Sequence, residues 1–271
     1  SDYNTAVGYQ SLSAVNGDGT GGNTAMGRLS GAAITSGTAN TAIGHVALYQ
    51  DDQGTHSTAV GSHALFTQNV GDELAANTAV GAESGYYNVT GTNNTYLGYK
   101  AGAGASGQSN SNNTAVGKDA LLSITTGGSN TVIGATAGDA LTDGTNNTFM
   151  GIGAGGTTTS VGYSVAIGME AMNASNVTSG ANHTIAIGTN ALNALTSASG
   201  NIAIGYETLL GHTTGARNIA LGWKAMNDTD ANDCPTSTDN IMIGYDAGGG
   251  TWTTNDSNYN VGIGNYVMDS A

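Results

Sequence analysis

Asp228, Asp230, Asn232 and Asp239 fall at positions 1, 3, 5 and 12 of a twelve-residue stretch inside NDTDANDCPTSTDN, residues 227–240. Oxygen donors at that spacing are what a calcium loop of the helix–loop–helix kind uses. Asp233 stands where such a loop needs glycine, and no flanking helix is expected. A solvated acidic loop is therefore the competing reading. The same stretch holds the chain's single cysteine, Cys234, which rules out an internal disulfide framework. It is read either as an inert thiol or as a bridge to a symmetry mate.

A second set of residues could bind sugars. Tyr9, Tyr99, Tyr206, Trp223 and Tyr245 each follow a recurring glycine directly, with Arg28 and His45 in the same column. Aromatic rings on a rigid, repeated surface can stack on the apolar face of a sugar ring, or equally on the neighbouring repeat. Both readings stay open.

Catalytic chemistry finds less support. GIGAGG at 151–156 satisfies the dinucleotide-binding glycine pattern but lacks the helix that must follow it. The carboxylates of Asp51, Asp52, Asp72 and Glu73 are scattered, and the five histidines form no column. No nucleophile and base can be paired, so no enzyme is expected.

Composition narrows the partners. Five basic and 19 acidic residues give a net charge of −14, which disfavours nucleic acid and anionic lipid as partners. No apolar run approaches the roughly 20 residues of a membrane-spanning helix. No basic-then-apolar leader opens the chain. The apolar residues are mostly Ala, Val and Ile, with only two Phe and two Trp, so an ordinary compact core is not expected.

What orders these residues is a repeat. Anchored on its last glycine, a five-residue unit occurs fifteen times in the 271 residues, from Gly8 to Gly264, at spacings of 17 to 22 residues. The position before the glycine is always aliphatic, as in Val7, Met26 and Ile43. Two residues earlier stands a β-branched residue: threonine from Thr5 to Thr148, then Val165, Ile185, Ile202, Ile219, Ile241 and Val261. Period two with β-branched residues predicts a strand, and these two columns share one face. The residue between them is mostly alanine and points the other way. Both faces are thus apolar or small, as in a strand covered on both sides. One coil of a thin solenoid can cover one face, and something else must cover the second.

Asparagine opens twelve of the fifteen copies. It suits a left-handed corner, and stacked amides can ladder along the axis. The glycine four residues on predicts a second corner that needs positive φ or close approach. Past it come two variable residues, a small one, and then Leu, Met or Gly, read as a second short strand. The remainder is turn chemistry. The chain is therefore expected to be a single repeat domain over 1–271, truncated within the pattern at both ends.

These columns resemble the head repeat of YadA-type trimeric autotransporter adhesins, whose signature is close to SVAIG. Residues 164–168 spell SVAIG, and TIAIG (184–188) and NIAIG (201–205) are near matches. The NTAIGYxAL flavour is similar to repeats in phage tail fibres. The resemblance implies an all-β, left-handed parallel β-roll of about 15 rungs, assembled as a parallel homotrimer. It also implies a non-enzymatic, extracellular role in attachment, on a bacterial outer surface or a virion. The partner would be a cell-surface glycan or protein receptor. A purely structural stalk and a polysaccharide-degrading tailspike are the alternatives. Where threonine replaces valine, in the first nine copies, the hydroxyls are expected to bond carbonyls, waters or ions, and the last six rungs to be dry.

Overall fold

A computed structural model describes residues 3–16, 21–174, 177–227, 236–250 and 257–269. The chain divides into two compact units, Ser1–Ala135 and Thr136–Ala271. The first carries eight strands of three residues: β1 Thr5–Val7, β2 Thr24–Met26, β3 Thr41–Ile43, β4 Thr58–Val60, β5 Thr78–Val80, β6 Thr95–Leu97, β7 Thr114–Val116 and β8 Thr131–Ile133. The second carries seven: β9 Thr148–Met150, β10 Val165–Ile167, β11 Ile185–Ile187, β12 Ile202–Ile204, β13 Ile219–Leu221, β14 Ile241–Ile243 and β15 Val261–Ile263.

In each unit every strand pairs in parallel with the next, without slippage: Thr24 on Thr41, Ala25 on Ala42, Met26 on Ile43. The same register joins Ile185 to Ile202 and Ile187 to Ile204. Each unit is thus a β-solenoid with one strand per coil. Its only described helical segment is a 3-10 turn, Ser179–Ala181, capped by Thr178. No described helix is long and apolar enough to cross a membrane.

The middle residue of each strand faces the interior. Ala25, Ala59, Ala115, Ala186 and Ala220 are fully buried. The β-branched and aliphatic columns on either side point outward and stay partly exposed, as in β3, β4 and β11. The strand threonines therefore face whatever lies against the sheet, and not the coil's own carbonyls.

The anchor glycines meet both demands made of them. Their φ angles run from +128° to +142°. At Gly117 a Cβ would lie 2.5 Å from the carbonyl oxygen of Gly134 on the next rung. No other residue fits there, which is why this column does not vary.

Two expectations about the coil are corrected. The left-handed residue at the first corner is the one before the asparagine, or before the serine that replaces it: Ala39, His56, Asn93, Tyr163 and Arg217 have φ between 56° and 62°. The asparagine itself is buried and wired. Asn40 donates Nδ2–H to the Gly54 carbonyl (2.8 Å) and accepts the Ser57 N–H on Oδ1 (2.8 Å). The amide ladder does form, as where Asn94 Nδ2 donates to Asn77 Oδ1 and Asn130 Nδ2 to Asn113 Oδ1, each at 3.0 Å. A charge-free amide with both donors and acceptors suits this because each rung's corner presents a main-chain N–H and a carbonyl that would otherwise be buried alone.

The segment after the glycine is no second strand. It runs in tight turns with left-handed residues two and four positions past the glycine, among them Val46 (φ 49°) and Leu48 (φ 48°). The second of these positions explains the Leu, Met or Gly column. Its backbone favours glycine, whereas its side chain points into the core, where Leu48, Leu65, Leu121, Met172 and Leu192 are fully buried. Where glycine stands there, another large side chain fills the space: Ile34 and Leu12 at Gly31, Leu65 and Tyr96 at Gly85, and the copy's own strand residue in two others. A Cβ on Gly102 would lie 2.3 Å from the Tyr96 ring, and one on Gly155 would lie 2.7 Å from Phe149. Tyr96 and Phe149 replace the usual alanine for that reason, and both are fully buried.

A further inward column lies seven residues past the glycine: Ile34, Asp51, Gln68, Asn88, Ile124, Leu141, Thr158, Leu195 and His212, all buried. Here polar and apolar residues alternate irregularly, and Gln68 and His212 are joined to the asparagine corner. Gln68 Nε2 donates to Asp51 Oδ2 (2.6 Å) and to Ser57 Oγ (2.8 Å), and its Oε1 accepts from Asn77 Nδ2 (2.9 Å). Gln68 thus supplies the amide that the serine at this corner lacks.

Candidate functional site

The outward strand face is the most extensive feature available for contact. In unit Ser1–Ala135 it exposes Met26 (49 %) and Leu97 (47 %); in unit Thr136–Ala271, Met150, Ile204 and Ile263. Apolar side chains at the same position of consecutive rungs merge into one stripe. Single exposed apolar residues are ordinary, but a contiguous stripe is a candidate contact surface.

The aromatic column behind the glycines lies beside this stripe in sequence. Tyr9, Tyr99, Trp223 and Tyr245 are exposed, and Tyr206 is half-buried. Tyr206 and Trp223 stack on adjacent rungs with ring centres 4.3 Å apart, and Tyr245 meets Tyr266 edge to face at 5.2 Å. Lys100 Nζ sits 5.3 Å over the Tyr99 ring. Rung-to-rung packing and outward exposure therefore coexist in this column.

Of the calcium candidates, Asp228, Asp230 and Asn232 lie outside the described residues, as does Cys234. Asp239 is described, and its carboxylate is held by both Nε and Nη2 of Arg217, each at 2.7 Å. Hydrogen bonding and charge from this guanidinium hold the Asp239 pKa below the usual carboxylate range. A calcium ion would have to compete with Arg217 for it. Among the described residues, no three His, Cys, Asp or Glu side chains are placed to hold a metal ion.

A different aromatic set, not singled out by its neighbours in sequence, forms a ridge on unit Ser1–Ala135. Tyr49, Phe66 and Tyr86 each stand five residues past an anchor glycine. Tyr49 stacks on Phe66 (5.3 Å, 6° between planes), and Phe66 on Tyr86 (5.0 Å, 23°). His63 joins them, 5.4 Å from Phe66 and 5.9 Å from Tyr86. Aligning the copies on their glycines reveals this column; scanning only the residue next to the glycine does not.

Among the described residues, two buried groups, Asp51 and His212, are shifted so as to respond between neutral and mildly acidic pH. Burial pushes the Asp51 pKa up to about 6, against the hydrogen bonds from Gln68 and Gly54. Burial pushes the His212 pKa down to about 4; its Nε2 lies 3.0 Å from Asn218 Nδ2. For His212 the unfolded chain binds the proton first, so its neutral-state stability is full above the ordinary value of 6.5 and is lost as pH falls towards 4. For Asp51 the folded chain binds the proton first, so stability is greatest below 3.8 and is lost as pH rises through 6. Lowering the pH from 7 to 5 is expected to cost unit Thr136–Ala271 about 2 kcal/mol and to add about 1 kcal/mol to unit Ser1–Ala135. Denaturant titrations at both pH values, compared with His212→Leu, check this. The variant should lose the acid sensitivity, since Leu141 and Leu195 already occupy its column.

Fold and surfaces together define a repeat protein of the β-solenoid class. In comparisons with known proteins, no family model matches the chain and no curated protein matches it.

Proposed function

We propose that this chain is a non-enzymatic segment of an extracellular trimeric fibre, of the adhesin-head or phage tail-fibre kind, which displays its loops for attachment to a cell surface. Further copies of the chain cover the outward strand face in a parallel homotrimer, each coil winding as a left-handed roll. The observation that carries this reading is the mismatch between the two strand faces. The alanine face is sealed inside each coil, yet the opposite face carries an aliphatic residue at every rung, beside threonine in the first nine and Val or Ile in the last six, where water would select more strongly polar residues. A self-complementary repeat meets that demand because identical rungs on neighbouring copies match at every level. The resemblance of SVAIG, TIAIG and NIAIG to adhesin-head repeats points the same way.

Sedimentation of the chain at micromolar concentration tests it. A trimer is expected. Ile187→Asp with Ile204→Asp, two substitutions in the outward column of one unit, should shift the population to monomer because each would place a charge against an apolar partner. A folded wild-type monomer would overturn the reading.

A further inference from the structure

The ridge of Tyr49, Phe66 and Tyr86 ends abruptly. On the two preceding rungs the same column holds Ser13 and Ala32. The step from small to aromatic residues leaves a groove of about 530 Å³ whose lining includes Gln10, Ala32, Ala33, Tyr49, Gln50 and Asn69. This is within the size range of sites that take small organic ligands. It lies wholly in unit Ser1–Ala135, on columns other than those of the outward strand face, so covering the strands does not by itself fill it.

We propose that this groove binds a neutral oligosaccharide, with the Tyr49 ring as the stacking platform and the amides of Gln10, Gln50 and Asn69 as hydroxyl partners. Three features carry the assignment. The platform is pre-ordered, because Phe66 backs Tyr49 in a nearly parallel stack and Tyr86 backs Phe66 in turn. A ring held this way loses little freedom when a sugar's apolar face settles on it. Three of the polar side chains are amides, each offering both donors and an acceptor, which matches hydroxyls that do both; the Ser13 hydroxyl is already used on the Ala32 carbonyl. Gln50 and Asn69 are exposed, and their main-chain N–H groups are already used on the carbonyls of Phe66 and Val89, so their side chains are the parts free to reach a ligand. Finally, among the described residues neither carboxylate nor cation lines the groove, and the chain's net charge of −14 opposes an anionic ligand. A neutral, hydroxyl-rich molecule with one flat apolar face satisfies all three.

The assignment deepens the attachment reading and is separable from it, because sedimentation reports assembly whereas ligand binding reports the groove. The experiment is saturation-transfer NMR and calorimetric titration of the chain with maltohexaose, cellohexaose and chitotriose, with hexagalacturonate as an anionic control. At least one neutral probe is expected to bind, with transfer from tyrosine ring protons. Tyr49→Ala should weaken that binding about 10-fold and Tyr49→Phe should leave it within about 2-fold. Ala33→Trp, which fills the half-exposed floor, should abolish it. Tyr163→Ala, an exposed ring in the other unit, should leave it unchanged. Circular dichroism of each variant confirms the fold. Absence of binding by all three neutral probes overturns the proposal, as does equal binding by Tyr49→Ala or binding of the anionic probe alone.

Discussion

Gly117→Ala is expected to destabilise unit Ser1–Ala135 by about 3–6 kcal/mol, enough to unfold most single domains. Two penalties combine at this position. Its φ of +137° belongs to a region that a side chain rarely enters. The added Cβ would also sit 2.5 Å from the Gly134 oxygen and 2.6 Å from its carbonyl carbon. Both contacts are main chain, so neither can rotate away. Moving the rungs apart would break the flanking ladder, in which Gly134 N–H donates to Val116 O at 2.8 Å. Gly107→Ala is the control. Its φ of +75° also favours glycine, but nothing lies within 4 Å of its Cβ. That substitution is expected to cost about 1 kcal/mol. Guanidinium unfolding midpoints of the two variants check the contrast, and equal losses would refute the tight corner.

Phe149→Ala and Gly155→Leu should each be severely destabilising alone and largely compensate together. The first removes a fully buried ring and leaves a cavity, at a cost of about 3–5 kcal/mol. The second places a Cβ 2.7 Å from the Phe149 ring, which has no room to move. The double variant restores the pairing used elsewhere in the same unit, alanine on the strand and leucine past the glycine, as in Ala186 with Leu192 and Ala203 with Leu209. The leucine would adopt φ near 59°, close to the 52° and 51° of those two leucines. A residual loss of about 1–2 kcal/mol is expected from the left-handed leucine backbone. A double-mutant cycle on denaturant midpoints measures the coupling, and additive losses would show that the two sites do not share the space.

The compensation between strand and turn was legible in principle. Wherever Tyr96, Val132, Phe149 or Met242 replaces the strand alanine, glycine stands six residues later in the same copy: Gly102, Gly138, Gly155 and Gly248. Only the volume argument gives that correlation meaning, and volume depends on knowing that both columns point to one interior. The aromatic ridge was hidden for a related reason. Tyr49, Phe66 and Tyr86 are 17 and 20 residues apart, and a stack across three rungs is invisible until the rungs lie on one another.

By itself the sequence determined the repeat, the parallel strands and their in-register stacking. Strict period two around the alanine fixes which residues share a face. The anchor glycine returns at every rung because no residue with a Cβ fits there. Those are local constraints, imposed identically fifteen times, so they survive averaging over the copies. Tertiary structure alone decided which strand face is inside. It decided that Leu48 and Leu121 accept left-handed backbone in exchange for burial, and that the corner strain falls on the residue before the asparagine. It also placed Asp51, Gln68 and His212 in an interior column. Each of these outcomes is a competition between a local preference and packing against the next rung. The local preference is written in the residue; the packing term exists only once the coil has closed and the next rung lies on it.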